Sequence, residues 1–141
     1  MLYDAVDDPS DRTPRELLAA YRRELSSVVD SVGIEPVAAE SGVERATLEA
    51  LQAGESADLS LEEAAAILAT DDRFPGADAV VYELRDHLLM GMSSAVVDVD
   101  TIAADIEADL TGQEVQQALE GRTRFTLEQL AEIQAAIERR R

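Results

Sequence analysis

The chain has 141 residues, a length that suits one ordinary domain with a buried core. Its 30 acidic residues outnumber 12 basic residues, all of them arginine, and the formal net charge is -18. Cysteine is absent, which excludes disulfides and thiolate metal sites.

Strong acidity without lysine is typical of proteins that work in concentrated salt. At about 1 M ionic strength the Debye length is about 3 Å, so self-repulsion is small while the carboxylates keep the surface hydrated. The alternative is a moderately acidic protein of an ordinary cytoplasm. We favour salt adaptation because no basic residue is lysine.

Residues 1–12, MLYDAVDDPSDR, have neither a basic start nor an apolar centre, so we expect no signal or targeting segment. They are acidic and aperiodic, and we predict a flexible arm unless Leu2 and Tyr3 dock on the rest. The longest apolar run, residues 64–69, is far shorter than the about 20 residues that span a bilayer. We therefore expect a cytoplasmic protein without a membrane segment.

The first helix is predicted to begin after Thr13 and to end at Gly33. Thr13-Pro-Arg-Glu16 combines a capping box with proline at the first helical position. Apolar residues then recur at helical spacing, namely Leu17, Leu18, Tyr21, Leu25, Val28, Val29 and Val32.

The next stretch, residues 34–69, predicts two short helices that cross at a turn, followed by a supporting helix. Gly42 can adopt positive φ at the turn, and Ala38 lies where the crossing helices come closest. Val43 points back into the crossing. The residues that complete the unit are Leu48 and Leu51 on one face of the second helix, Gly54 as its stop, and Ser60 with Glu63 as a capping box.

The run GVERATLEALQAG, followed by a newly capped helix, resembles the lambda-repressor-like helix-turn-helix class. The resemblance covers residues 34–69. In that class the exposed face of the second helix enters the DNA major groove. Here that face carries Glu44, Arg45 and Glu49, which would offer one arginine and two carboxylates to a polyanion. This composition favours a protein interaction module or self-association, with a DNA-binding transcriptional regulator as the alternative.

A long helix is predicted after Pro75-Gly76, with Asp78 as its cap and Val96 as the last residue of its apolar stripe. Gly91 lies within this stripe. Because glycine in a helix costs about 1 kcal/mol relative to alanine, its position predicts a neighbouring helix that crosses very close. We interpret the segment HLLMGM as core, with a ligand pocket as the alternative. Met90 falls on the polar side, either alone or within a partner surface.

The last part of the chain repeats the earlier plan. Residues 96–100 alternate like a strand but lack a mate, so we predict that the long helix ends in a turn. In the match of VQQALEGRTRFTL to LEALQAGESADLSL, Gly121 corresponds to Gly54 and Thr126 to Ser60. Asp105 and Asp109 replace Ala38 and Gly42, which predicts two helices without a tight turn. Capping boxes at Thr111 and Thr126 open the last two helices.

These patterns predict an all-α fold in which residues 13–141 form a compact multi-helix domain. Residues 13–70 hold the first helix and the helix-turn-helix-like unit, and residues 78–141 hold the long helix and a degenerate second copy. His87 is the only histidine, and neither a glycine-rich phosphate loop nor a metal-ligand cluster occurs. We therefore expect no enzyme activity, no catalytic or metal site, no cofactor and no small-molecule substrate.

Arginines concentrate in residues 121–141, which we predict to form the only basic surface. Arg122 and Arg124 lie in a loop, where contacts to a nucleic acid backbone are commonly made. The alternative is a solubilising end whose charges complement the dipole of the last helix.

The length, the opening MLYDAVDD, the segment HLLMGM and the closing TLE motif with its arginine tail are similar to a family of short acidic haloarchaeal proteins of unknown function. The resemblance covers nearly the whole chain. It implies a salt-adapted interior but no activity, ligand or site residue.

Overall fold

The computed structural model describes residues 2–6 and 8–141, which contain α-helices, short 3-10 turns and one isolated β-bridge. The predicted all-α fold class is therefore confirmed. In this part of the chain the α-helices are α1 (Pro14–Val32), α2 (Ile34–Ser41), α3 (Arg45–Gln52), α4 (Leu61–Leu68), α5 (Ala77–Ala95), α6 (Val99–Asp105), α7 (Gly112–Leu119) and α8 (Leu127–Glu138).

Four of the helices begin with the predicted capping boxes. In each, the side chain at the N-cap accepts from the third helical N–H, and that residue's side chain accepts from the N-cap N–H. The pairs are Thr13 with Glu16, Ser60 with Glu63, Thr111 with Glu114, and Thr126 with Gln129. The helix starts follow from local sequence because both partners of each box lie within one turn.

Residues 42–44 join α2 to α3 at a tight turn. Gly42 has φ 74° and donates its N–H to the Ala38 carbonyl at 3.1 Å, and Ala38 itself is partly buried against the core. Val43, Leu48 and Leu51 are buried. The predicted turn and the apolar side of the second helix are therefore present.

The ends of α5 differ from the prediction. Gly76, and not Asp78, is the N-cap; Asp78 lies in the first turn, where its charge favours the helix dipole. At the other end Val96 is the left-handed C-cap and is exposed, so it does not continue the buried stripe. The predicted turn after α5 is present, and α6 starts after Asp98, whose side chain accepts from the Thr101 N–H.

The chain consists of two similar units, each a helix of 19 residues followed by three shorter helices. They meet at an antiparallel bridge between Ser60 and Thr126, the two residues paired by the sequence match. There the Leu61 N–H donates to the Phe125 carbonyl at 2.8 Å, and the Leu127 N–H donates to the Leu59 carbonyl at 3.0 Å. This reciprocal pair gives the junction a local two-fold symmetry.

The repeat extends to the glycines that end α3 and α7. Gly54 and Gly121 have φ values of 74° and 83°. The N–H that follows each glycine donates back to a helix carbonyl, from Glu55 to Ala50 at 2.9 Å and from Arg122 to Gln117 at 2.8 Å. The units differ between their second and third helices, because residues 106–111 form a longer connection in place of the tight turn at 42–44.

The core lies where the last helix of each unit packs against both long helices, α4 on α1 and α5, and α8 on α1 and α5. Gly91 is buried at the crossing of α5 and α8. A Cβ atom at Gly91 would come within 2.9 Å of the Ile137 Cγ2 atom, so the predicted close approach is present.

The N-terminal segment packs on the helices in the range that the structure describes. Leu2 is buried, and the Tyr3 ring stacks on the His87 ring with centroids 4.1 Å apart. The Gln134 side chain donates to the Tyr3 carbonyl at 3.0 Å and accepts from the Tyr21 hydroxyl. The prediction of a flexible arm over residues 1–12 made an exception for docking by Leu2 and Tyr3. The structure shows that docking.

Candidate interaction surface

Arg45 and Glu49, the predicted contact residues of the first unit, are exposed on α3 but already paired. The Arg45 guanidinium forms an ion pair with Glu35, and its Nε donates to Glu49 Oε1 at 2.9 Å. Exposed pairs of this kind contribute at most about 1 kcal/mol, so their importance here is electrostatic. The arginine is neutralised by two carboxylates and offers little net positive charge to a phosphate.

Arg122 and Arg124, predicted as one contact loop, have different surroundings. Arg122 Nε lies 3.3 Å from Glu120 Oε2. Arg124 instead lines a cavity of about 420 Å³ together with Arg22 of α1. The cavity is also lined by Asp58, Glu63 and Glu128, so its charge is mixed.

The predicted restriction of basic surface to residues 121–141 is wrong. Arg15 and Arg23 are exposed on α1, and Arg22 beside them is partly buried. In the C-terminal segment, Arg140 pairs with Asp105 at 2.5 Å and Arg141 with Glu138 at 3.3 Å. The signal was available in the sequence, because residues 12–23 contain four arginines and a single carboxylate.

Large exposed hydrophobic side chains are confined, in the described part of the chain, to α5 and its C-cap. We call this set the α5 face: Tyr82 at 72% exposure, Leu89 at 43%, Met90 at 63% and Val96 at 89%. Tyr82 and Leu89 are seven residues apart and therefore lie on the same side of the helix. Met90, which the sequence placed either alone or within a partner surface, is exposed on the same helix directly after Leu89.

A groove of about 530 Å³ runs beside this face between α5 and the end of α7. We call it the α5 groove; it is lined by Glu62, Asp78, Val81, Tyr82, Arg85, Asp86, Leu89, Leu119, Glu120 and Gly121. Arg85 Nε donates to the Ala118 carbonyl at 3.2 Å, and its Nη2 lies 3.5 Å from Glu62 Oε1. Glu62 Oε2 is buried without a hydrogen-bond partner. The groove therefore combines apolar side chains with four carboxylates and one arginine that is already paired.

The end of the α5 face is strained. Val96 has φ 54° and ψ 53°, a left-handed conformation that a β-branched side chain rarely adopts. Strain of this kind persists where the surrounding structure enforces it, and it often accompanies function.

The shifted pKa values of several titratable groups have separate structural causes. Burial raises the pKa of Tyr21 and lowers the pKa of His87. Hydrogen bonds from Arg73 lower the pKa of Asp71.

In residues 2–6 and 8–141 no three His, Asp or Glu side chains are grouped to hold a metal ion. None of the helices in this range has the length and apolarity needed to cross a bilayer.

The model for a family described as "Family of unknown function (DUF5791)" matches residues 17–140. No curated protein and no solved structure matches the chain.

Proposed function

The chain belongs to the family of unknown function DUF5791, and we propose that it is a non-catalytic interaction protein of a salt-adapted cytoplasm. Its helix-turn-helix-like pair, α2 and α3, serves as scaffold. The α5 face is the surface that meets a protein partner.

One observation carries this proposal, the concentration of large exposed hydrophobic side chains on one helix. Single exposed hydrophobics are ordinary on a protein surface, whereas a contiguous group indicates an interaction site. Tyr82, Leu89, Met90 and Val96 all lie on α5 or at its C-cap, and in the described residues no other large hydrophobic side chain is exposed to this degree.

Site-specific photo-crosslinking tests the proposal. A photoreactive residue in place of Met90 should give a discrete adduct in host extract prepared in molar KCl. Excess unlabelled wild-type chain should suppress the adduct, and excess Leu89→Ser/Met90→Ser chain should not. The matched position is Glu49 on α3, which is also exposed and should give no such adduct. Equal adducts at both positions, or none at Met90, would overturn the proposal.

The second candidate is a DNA-binding transcriptional regulator of the repressor-like class, possessing a contact surface away from α3. Its support is that Arg22 and Arg124 line one cavity and have no ion-pair partner within the described residues, although Asp58, Glu63 and Glu128 line the same cavity. A mobility-shift assay with genomic fragments in high potassium separates the sites. If the double variant Arg22→Ala/Arg124→Ala no longer shifts the DNA while the control Arg122→Ala still does, the DNA contacts the cavity lined by Arg22 and Arg124. Loss on Arg45→Ala alone places it on the helix-turn-helix.

A further inference from the structure

Resting on the proposed function, we infer that the α5 groove binds a cationic amphipathic helix of a partner protein. Such a helix would lay its apolar side on Tyr82 and Leu89 and direct arginine or lysine toward the carboxylates of the groove. Binding of an amphipathic helix in a groove is a recurrent mode of recognition.

The internal repeat supplies a control for the α5 face. Aligning Pro14 with Ala77, the first residues of the two 19-residue helices, brings their buried positions into register. The matched buried pairs are Leu17 with Val80, Tyr21 with Leu84, and Leu25 with Leu88. The two long helices therefore present corresponding outer faces.

Those outer faces carry different residues. Where α5 has Tyr82, Leu89 and Met90, α1 has Ala19, Ser26 and Ser27. α1 thus shares the buried positions of α5, buries Ala20 and Val29 in addition, and has no large hydrophobic side chain at the positions of Tyr82, Leu89 and Met90. The packing shared by the two long helices does not explain the apolar residues of the α5 face, and a contact with a partner would explain them.

Charge differs between the faces in the same way. Arg23 of α1 corresponds to Asp86 of α5. The α5 groove contains four carboxylates and one arginine, and that arginine, Arg85, is already held by the Ala118 carbonyl and Glu62. Asp78 and Asp86 of the groove are exposed, and a guanidinium or ammonium of the partner would form charge-assisted hydrogen bonds with them.

A second copy of this chain fits the groove poorly. A symmetric pairing of two α5 faces would place carboxylates such as Asp86 near their equivalents, and juxtaposed like charges oppose binding. A head-to-tail pairing would set Tyr82 against a polar surface, because the described residues offer no other large exposed hydrophobic group. Apolar and positive groups are needed together, which a cationic amphipathic helix provides.

A labelled helical peptide of about 18 residues, with leucine on one side and arginine on the other, is the probe. Fluorescence anisotropy with the full chain should detect binding that persists at about 1 M KCl, where long-range charge attraction is screened. Two peptides of equal length should not bind: leucine with glutamate, and serine with arginine. Binding of the serine–arginine peptide as tightly as the leucine–arginine peptide would overturn the inference.

Three variants locate the binding. The variant Tyr82→Ala/Leu89→Ser introduces the residues found at Ala19 and Ser26 of α1. It should weaken binding of the leucine–arginine peptide about tenfold or more, the effect of losing a well-buried side chain. Asp86→Arg copies Arg23 and should also weaken it. Glu40→Arg makes the same charge change on exposed α2 and should not. Circular dichroism in the same buffer establishes that each variant is folded.

The outcomes separate this inference from the proposed function. Equal weakening by Asp86→Arg and Glu40→Arg would show non-specific attraction and overturn the groove. If no peptide binds but the photo-crosslinked adduct at Met90 still forms and is suppressed by wild-type chain, the cationic helix is overturned and the interaction surface is kept. Absence of both would overturn both.

Discussion

Gly91 sets the distance between α5 and α8. In the Gly91→Ala variant the new Cβ would lie 2.9 Å from Ile137 Cγ2, so the helices must separate or the isoleucine must move. We expect the free energy of unfolding to fall by about 1 to 3 kcal/mol, although alanine favours the helix itself. Chemical denaturation at fixed KCl concentration measures the change.

The control is a double-mutant cycle with Ile137→Ala. Removal of Cγ2 takes away the clashing atom, so Gly91→Ala should cost less in that background. Equal costs in both backgrounds would show that the contact with Ile137 is not the reason for glycine at this position.

His87 reports whether the N-terminal segment is docked. Burial lowers the pKa of this histidine, the charge of Glu138 opposes the shift, and the stacked Tyr3 ring covers one side. We expect the pKa, followed by NMR, to rise toward its usual value in Tyr3→Ala. Tyr82→Ala, which changes an exposed tyrosine of the same helix, should leave it unchanged. An unchanged pKa in Tyr3→Ala would mean that helix packing alone excludes water from His87.

The shift also fixes the sign of a pH effect on stability. Because the folded pKa lies below the unfolded value of about 6.5, the unfolded chain binds more protons between the two. The contribution of His87 is therefore complete above the unfolded pKa. It is lost as the pH falls from there through the folded pKa. His87→Gln should reduce the slope of stability against pH in that window.

Val96 ends α5 at a cost in backbone energy. A non-glycine residue in the left-handed conformation loses about 1 to 2 kcal/mol, and the exposed side chain gains little burial in return. Val96→Gly should therefore raise the free energy of unfolding by about 1 kcal/mol, although glycine also loosens the unfolded chain. Ala95→Gly, one residue earlier and still helical, should lower it. If both variants lower the free energy of unfolding, the Val96 side chain stabilises the fold through packing.

The starts of α1, α4, α7 and α8 are predictable because capping is local. Each of these N-caps has its capping-box partner three residues further along the chain, so the sequence alone identifies it. The N-caps are Thr13, Ser60, Thr111 and Thr126. Asp78 was assigned wrongly because an aspartate in the first turn and an aspartate at the N-cap are both favourable. Sequence spacing alone does not separate these two positions.

The candidate surface depended on contacts that local sequence does not contain. The close approach at Gly91 could be predicted because glycine weakens a helix interior, and a neighbour that leaves no room for a side chain offsets that cost. The exposure of Leu89 could not, because it depends on which side of α5 is covered by α4 and α8. The proximity of Arg22 to Arg124 likewise follows from the joining of the two units at Ser60 and Thr126.

At the scale of the whole molecule, the two units share a core but differ on the outside. The last helix of each unit packs on both long helices, so core substitutions in one unit affect the other. Outer positions escape that constraint, which allows Arg23 and Asp86 to occupy corresponding sites. The two units thus share their packing, while the α1 and α5 faces differ in chemistry.

Because the net charge is -18, we expect the stability of the whole chain to depend on salt. The Debye length is about 14 Å at ~0.05 M KCl and about 2 Å at ~2 M, so repulsion among carboxylates should largely disappear in molar salt. Ion pairs such as Arg45 with Glu49 are exposed and lose little. We expect a higher melting temperature and more helical circular dichroism at the higher salt concentration.

A charge-reduced variant isolates the cause. Glu40→Gln, Glu44→Gln and Glu128→Gln remove exposed carboxylates that lie outside the capping boxes. If repulsion is the origin, this variant should melt higher than wild type at ~0.05 M KCl and nearly match it at ~2 M, where screening is strong. Wild-type melting that is the same at both concentrations would refute salt adaptation. An undiminished salt effect in the variant would instead attribute the stabilisation to strengthened apolar burial.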